Sequence, residues 1–591
     1  MPNNETKFEV TNFIVKVDGK EIQETYQVLS ADVHKAVNRI ASARVILLDG
    51  DVSTEEFEAS DSDTFKPGAA ITIITGHDSD SRHTVFEGIV IKHSVKIRRS
   101  GVFVLTIDCK DKAIKATKGR KNKYFYKKKD SDIIKEVLQE TGLNVNVEAT
   151  NHKHDEMIQY HSSNWDFINT RAELNGMLVV NDDGKIDIKA PKLESPVFTA
   201  KFGKNLLEFE GEIDVQNQLK GAKSKSWKYA NQGLVEAAGS TSFSNALGGS
   251  GSGEWADILG QEAQFTHSGR VSEQELKEWA NTKMMRSELS KVRGRAKFQG
   301  SEKIKPGTTV KLEGVGKKFS GDAFVSAVSH SIADGEWMTD VEFGLSPQTF
   351  TERFNIGEKE AGGLLPPIQG LQIGKVTKLE NDPDGEDRVL IRVPIIDMNE
   401  DGVWARVSTL DAGKDRGSFF RPEIDDEVIV GFLNSDPRDA IILGMLHSSA
   451  NAAPLKAEDV NHEKGFFTRD GMRVLFNDEK KIITIDTPAK NQIIISEEDK
   501  GITIIDQNKN KIVTEPSGIT IESKGNIDIK AKGDIKIDAM NITTKVKMAA
   551  KVEGVNITEK ATAQFKAEGS ASVNLSSNGI TMIKGSLVKI N

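Results

Sequence analysis

Cysteine is nearly absent. The 591 residues include one, Cys109, which excludes an intrachain disulfide framework and any cysteine-built metal cage. It lies in Phe103-Val-Leu-Thr-Ile-Asp-Cys, in step with Phe103, Leu105 and Ile107 on one strand face, and so reads as a buried structural thiol. No apolar run reaches the length that spans a bilayer. Met1 to Lys7 is polar and no apolar stretch follows it, so no signal peptide is expected and any export must use another route. An excess of positive charge is missing too: the net charge is −9, which gives no global pull toward nucleic acid or an anionic membrane. Aromatics make up 6% of the chain, and its last 120 or so residues contain few beyond Phe466, Phe467, Phe476 and Phe565.

What is present is an ordinary soluble balance, 28% charged and 37% apolar, in a chain long enough for several domains with real cores. From about Gly465 to Asn591 the sequence falls into a beat. Gly525-Asn-Ile-Asp-Ile-Lys-Ala-Lys and Gly533-Asp-Ile-Lys-Ile-Asp-Ala-Met are successive blocks of eight, placing Ile527 over Ile535 and Ile529 over Ile537, with Asp528 and Lys536 on the other side of the pleat. The alternation recurs in Lys481-Ile-Ile-Thr-Ile-Asp, Gln492-Ile-Ile-Ile-Ser, Gly501-Ile-Thr-Ile-Ile-Asp, Gly518-Ile-Thr-Ile-Glu, Gly554-Val-Asn-Ile-Thr and Gly585-Ser-Leu-Val-Lys-Ile. These read as short strands with one thin apolar face each. No helix-period segment follows to cover that face, and the side chains are too small to fill a single-chain sandwich. Copies of the same stripe can bury it, three chains winding about one axis with Ile527, Ile529, Ile535, Ile537, Val555 and Ile557 pointing inward.

The first part, Phe8 to Gly119, is strand-rich, with turns at Asp18-Gly19, Asp49-Gly50 and Pro67-Gly68, and reads as a closed or nearly closed barrel. The run Gly119-Arg-Lys-Asn-Lys-Tyr-Phe-Tyr-Lys-Lys-Lys has the form of a nucleic-acid patch, but nothing extends it. A solvated strand or a protein-docking face is expected, and no nucleic-acid partner. Asp130 caps a short helix stopped by Gly142. A second helix, from about Asn164 to Asn175, sets Trp165, Ile168 and Ala172 on one stripe. A hairpin then turns at Asp182-Asp183-Gly184. His152, His154 and His161 lack a third and fourth ligand at any fixed spacing, so they are expected as exposed loop histidines and no metal site is expected. Gly233 to Gly253, rich in Gly, Ser and Ala, reads as a mobile loop. Ser272-Glu-Gln-Glu275 reads as a capping box opening a helix with Leu276, Trp279, Ala280 and Met284 on its apolar face. After the linker Gly362 to Pro367, five alternating strands within about eighty residues suit an OB-like barrel. Acidic pairs such as Asp425-Asp426 and Glu497-Glu498 read as solvated turns, and no nucleophile, base and oxyanion set is found, so no catalytic residues, no cofactor and no enzyme are expected.

His161-Ser-Ser-Asn-Trp-Asp-Phe-Ile-Asn-Thr-Arg-Ala-Glu-Leu-Asn-Gly-Met-Leu-Val resembles the signature of VgrG proteins, the trimeric spikes of type VI secretion and related contractile injection systems, with Trp165, Phe167, Arg171, Ala172, Glu173 and Gly176 at the matching positions. The stretch from Arg421 to Leu446, with its Asp436-Pro437 turn, resembles the OB domain of the same family. The resemblance extends over nearly the whole chain. It implies a mainly β fold: hub-like β-barrels with a few helices, an OB-fold neck and a C-terminal intertwined β-helical needle. Expected boundaries are 1–118 for the first barrel, 119–190 for an α/β insertion carrying the signature, and 191–361 for the second barrel with loop 233–253 and helix 272–290. They continue with 362–450 for the OB neck, 451–464 for a linker and 465–591 for the needle.

The same resemblance implies a structural spike, assembled in the cytoplasm and exported by the machine. Its partners would be two further copies of itself, an Hcp-like inner-tube protein, baseplate proteins, effectors, and a PAAR-type tip protein seated on Lys589, Ile590 and Asn591, with the target membrane met only by puncture. The interval Ser448 to His462 is too short for the lysozyme domain of similar phage spikes, and the last histidine, His462, lies far from the end, so a histidine-held tip metal is not expected. Two other readings stay open at this point: a phage-derived adhesin or tail fibre, and a β-helical polysaccharide-degrading enzyme. Against the enzyme, an eight-residue beat is short for a single-chain coil and no acidic cluster recurs on one face.

Overall fold

The computed structural model describes residues 11–77, 82–99, 101–245, 247–249 and 252–590. Met1 to Lys7, Phe8 and Asn591, which entered the reading above, lie outside them. The chain divides into two compact units, Met1–Leu446 and His447–Asn591.

The first unit is organised by one 13-stranded sheet. Along it lie, in spatial order, Leu206–Ile213, Val292–Gln299, Glu336–Phe343, Gly321–Ala333, Val28–Ala36, Ser42–Leu48, Phe103–Lys110, His83–Ile97, Ala70–Gly76, Asn12–Val17 and Lys20–Glu21; Phe198–Lys201 and Thr309–Glu313 branch from Gly321–Ala333. Period-two alternation sets which face turns inward: Ala43, Val45 and Leu47 from one strand meet Leu105, Ile107 and Cys109 from its neighbour. The sheet encloses two apolar cores. One gathers Val33, Val45, Phe65, Phe86 and Ile107; the other gathers Val292, Phe298, Val310, Val325 and Phe343. The two hub-like barrels are therefore parts of one sheet. Gly321–Ala333 pairs antiparallel with Val28–Ala36, from Ala327↔Ala36 to Ala333↔Ser30. Trp337, from the later half of the unit, packs in the earlier core. Cys109 is fully buried there, and burial pushes its thiol up to about 12, as a structural thiol requires.

The insertion between the two halves holds helices Asp130–Gln139 and Asn164–Leu174, a three-stranded sheet and the two-stranded ribbon Lys121–Lys129 with Lys153–Ser162. The basic run forms the first strand of that ribbon. Lys121 and Lys123 pair with Glu140, at the C-terminal cap of the helix that follows, and Lys123 and Lys128 pair with Glu136 on that helix. Three of its six cations are thus paired within the fold, while Tyr124 and Tyr126 stack on one another on the exposed side.

Two expectations need correcting. Gly233 to Gly253 is not one mobile loop: Gly233–Ala238 is a strand paired with Gly221–Lys228, Leu247 is buried in the second core, and a helix begins at Ser252. Gly, Ala and Ser carry little hydrophobic signal of their own, so pairing with a distant strand decides their state. The capping box at Ser272 is half made. Ser272 Oγ accepts the Glu275 N–H at 3.2 Å, but the Glu275 carboxylate turns instead to Arg171.

The OB-like region closes as a barrel of Gln372–Lys378, Val389–Arg392, Val403–Val407, Ala440–Met445 and Glu427–Phe432 around Val376, Ile391, Ala405, Val430 and Ile442. In the second unit, Glu463–Phe467, Arg473–Asn477, Ile482–Asp486, Gln492–Ser496, Gly501–Ile505, Lys511–Glu515 and Gly518–Glu522 form a seven-stranded antiparallel meander in sequence order. Beyond Glu522 the expected strands at Gly525–Ile537, Gly554–Thr558 and Gly585–Ile590 do not form within the single chain; among the described residues no strand follows. A strand exists only where a neighbour accepts its backbone hydrogen bonds, and this segment has none in its own chain to pair with.

Candidate functional site: a buried signature cluster and an exposed apolar face

The signature begins at a helix start dictated by local chemistry. Ser163 lies in extended conformation, and its Oγ accepts the Asp166 N–H at 3.0 Å, which fixes the first turn of Asn164–Leu174. Trp165 and Phe167 are buried, and the Phe167 ring stacks on Phe125 at 6.0 Å and 12°. The two charged residues then face different neighbours.

Arg171 forms a fork on Asp130, Nε to Oδ1 at 2.7 Å and Nη2 to Oδ2 at 2.9 Å, and reaches Glu275 Oε1 at 3.0 Å. Asn175 and His154 also bond Asp130 Oδ2, at 2.9 and 3.0 Å. Burial by itself would raise the Asp130 pKa. The bonds from His154, Arg171 and Asn175, with the Arg171 charge, outweigh it and hold the carboxyl well below the usual range. Asp130 was expected to cap its helix. It is instead the first helical residue, after an extended Lys129. Buried at that position, its carboxylate serves Arg171 and not the helix N–H groups.

Glu173 turns the other way, pairing with Arg286 of the long helix Glu273–Ser290 and accepting the Phe350 N–H at 2.5 Å. Arg286 in turn donates to Ser346 O at 2.9 Å and Gln348 O at 2.8 Å. Thr282 Oγ1 donates to the Glu173 and Leu174 carbonyls, closing the end of the signature helix. Gly176 follows with φ +69°, the left-handed position that stops helices. Ala172 is buried in the same core as Trp165. The structure thus brings the signature residues together as a packing junction, tying the insertion to the long helix and to the segment around Phe350. Sequence reasoning missed Asp130, Glu275 and Arg286 as their partners, because a buried charge carries no local mark of which distant charge it will meet.

The second unit offers a different surface. The register places Phe466, Val474, Phe476, Ile483, Ile485, Ile493, Ile495, Ile502, Ile504, Ile512, Ile519 and Ile521 on one face of the meander, linked across strands by Val474↔Ile485, Ile485↔Ile493, Ile493↔Ile504, Ile504↔Ile512 and Ile512↔Ile521. The opposite face carries Asp486, Gln492, Ser496, Thr503 and Lys511 among its apolar residues. Most large side chains of the apolar face remain exposed, from 37% for Phe476 to 74% for Ile519, with Val474 and Ile483 half-buried. Part of that face opens into a groove of about 550 Å³ lined by Ile485, Ile493, Ile504, Ile512 and Ile521. The residues expected as needle core, Ile527, Ile529, Ile535, Ile537, Val555 and Ile557, are all exposed in the single chain, as are Lys589 and Ile590. An apolar row this long left in water marks an interaction surface.

Residues 7–334 match the family described as the Alg8 N-terminal domain. Residues 372–447 match the type VI secretion system/phage-baseplate injector OB domain. The type VI secretion system spike protein VgrG3 of Vibrio cholerae is 25% identical over 169 residues, which are 27% of this chain and 16% of that protein. This chain therefore covers about a sixth of that relative's length. Among solved structures, the 43 kDa tail protein of prophage MuSo2 from Shewanella oneidensis is similar with a TM-score of 0.43 at 12% identity, covering 57% of this chain and 98% of that one. A component of the E. coli type VI secretion system, described as structurally similar to the T4 bacteriophage tail proteins gp27 and gp5, gives 0.38 at 12%, covering 73% and 99%. The Alg8 N-terminal match takes in more than half of the 591 residues. The chain belongs to that family and is VgrG-like, with an injector OB barrel.

Proposed function

We propose that this chain, as a member of that family, is the spike component of a contractile injection machine and acts as a homotrimer. The observation that carries the reading is the exposed apolar face from Phe466 to Ile521, continued by an eight-residue Ile beat that finds no strand partner in its own chain. Three copies about one axis turn each face inward, pair the unpaired strands between chains and leave Lys, Asp and Thr outside. The product is a rigid, internally satisfied needle.

The mechanism is mechanical. The hub seats on the inner tube and baseplate, the OB barrel joins hub to needle, and a conical tip protein seats on the needle at Lys589 and Ile590. Contraction of an external sheath drives the assembly through the target envelope, with effectors carried on the tip, the spike or the tube. Assembly takes place in the cytoplasm and export is by the machine itself. The buried signature charges keep the hub in one arrangement under load; they have no catalytic part.

Deleting Gly518 to Asn591 tests this. The expected result is a soluble hub and no delivery in an injection assay. Normal injection by the truncated chain would remove the needle from the mechanism.

A further inference from the structure

His152 and His154 do not behave as exposed loop residues. His154 lies in the strand Lys153–Ser162 and is buried; His152 precedes it on the same side of the chain, and the two rings meet edge to face at 4.5 Å. The first turn of the long helix brings Glu275 to them. Ligand atoms of His152, His154 and Glu275 lie within 4.8 Å of one another. Nothing in the sequence spacing links residues 152 and 275, so the third ligand comes from the tertiary fold.

The hydrogen bonds assign the His154 tautomer. Its Nε2 is 3.0 Å from Asp130 Oδ2, nearer than Arg171 Nη2 at 3.3 Å, and an ionised carboxylate has no proton to give, so the hydrogen sits on Nε2. The other ring nitrogen, Nδ1, faces Glu275 Oε1 at 3.9 Å. At that distance the two share no hydrogen bond, and a cation placed between them would be held by both. A histidine tied by its far nitrogen to a carboxylate is the form that orients imidazole for a metal. His152 is anchored in the same manner, its Nε2 lying 3.1 Å from Ser272 Oγ. Arg171 opposes a cation, since it holds Glu275 Oε1, but Asp130 balances its charge and Glu275 has a second oxygen to offer.

We propose that His152, His154 and Glu275 form a divalent transition-metal site, best suited to Zn²⁺, with solvent as the fourth ligand. Two imidazoles, one carboxylate and an open position make a tetrahedral zinc set, whose ligands sit about 2.0–2.1 Å from the ion; closing to it takes movements of roughly 1 Å. The half-buried His152 and Glu275 have room to make them. The ion would fasten the start of the Lys153–Ser162 strand to the start of the long helix, inside the first unit and independently of the needle.

The test uses the full chain without an affinity tag, stripped with chelator and titrated near neutral pH with zinc chloride, with magnesium as control. Bound metal is counted by mass spectrometry and affinity measured by calorimetry. The expected result is one zinc per chain, no magnesium, a raised thermal midpoint, and binding weakened about tenfold or more in His152→Ala and in Glu275→Gln. Both changed side chains are half-buried, and Glu275 also accepts from Arg171, so circular dichroism checks that each variant folds. Failure of the parent chain to retain zinc, or equal retention by both variants, overturns the assignment.

Discussion

If three apolar faces meet on one axis, a charge placed at the centre of the row must break the assembly while its neighbour along the strand must not. Ile504 is the residue for this, flanked across the meander by Ile493 and Ile512 and 45% exposed in the single chain. Full burial of such a side chain is worth about 1.5–3 kcal/mol, so covering its exposed part contributes about 1 kcal/mol per chain and about 3 per trimer. Ile504→Ala should therefore raise the trimer dissociation constant about a hundredfold, which the rest of the row absorbs. Ile504→Asp loses the same amount and also brings three carboxylates into an apolar interior, at several kcal/mol each with no counter-charge. It should give monomers at micromolar concentration, whereas Thr503→Asp, on the opposite face, should stay trimeric. Light scattering after gel filtration reads all three masses. A trimer that survives Ile504→Asp, or a parent chain that is itself monomeric, would show that this face is not the trimer core.

Two further outcomes follow from the signature cluster. The Asp130 carboxyl is held below its unfolded value, so its contribution is present above about pH 4 and is lost as pH falls through the folded value. Asp130→Asn should lower stability by at most about 3–5 kcal/mol at neutral pH by breaking the fork and leaving Arg171 with Glu275 alone, and should flatten the acid limb of a denaturation series followed by tryptophan fluorescence. Equal acid limbs in the two proteins would refute this. Gly176→Ala should cost only about 1 kcal/mol, through its left-handed backbone. The added Cβ would meet Thr282 Oγ1 at 3.5 Å and Met285 Sδ at 3.8 Å, ordinary contacts. A loss of several kcal/mol in thermal unfolding would mean that the junction is tighter than this geometry allows.

Strands with a strong period of two were legible directly. The OB strands and Lys481–Asp486, Gln492–Ser496, Gly501–Ile505 and Gly518–Glu522 stand close to where alternation put them, because a half-buried strand writes its two faces into neighbouring residues. The signature helix was equally plain, expected from about Asn164 to Asn175 and found at Asn164–Leu174. The Gly233–Ala238 strand was not, having few large side chains to reveal a buried face. The helix at Asp130 was visible, but the task of its first residue was not.

The sequence by itself determined that the chain is mainly β, that it lacks an intrachain disulfide framework, and that its last part carries an apolar stripe on one face of its alternating segments. These are properties of neighbouring residues, fixed by backbone geometry and side-chain alternation. Only the tertiary structure decided that both hub cores share one sheet through Gly321–Ala333 and Val28–Ala36, that Glu173 meets Arg286, and that Glu275 comes to His152 and His154. Those partners lie from about a hundred to three hundred positions apart. A buried charge or a sheet edge accepts any partner of the right chemistry, so the choice among them rests with the packing that brings one within reach.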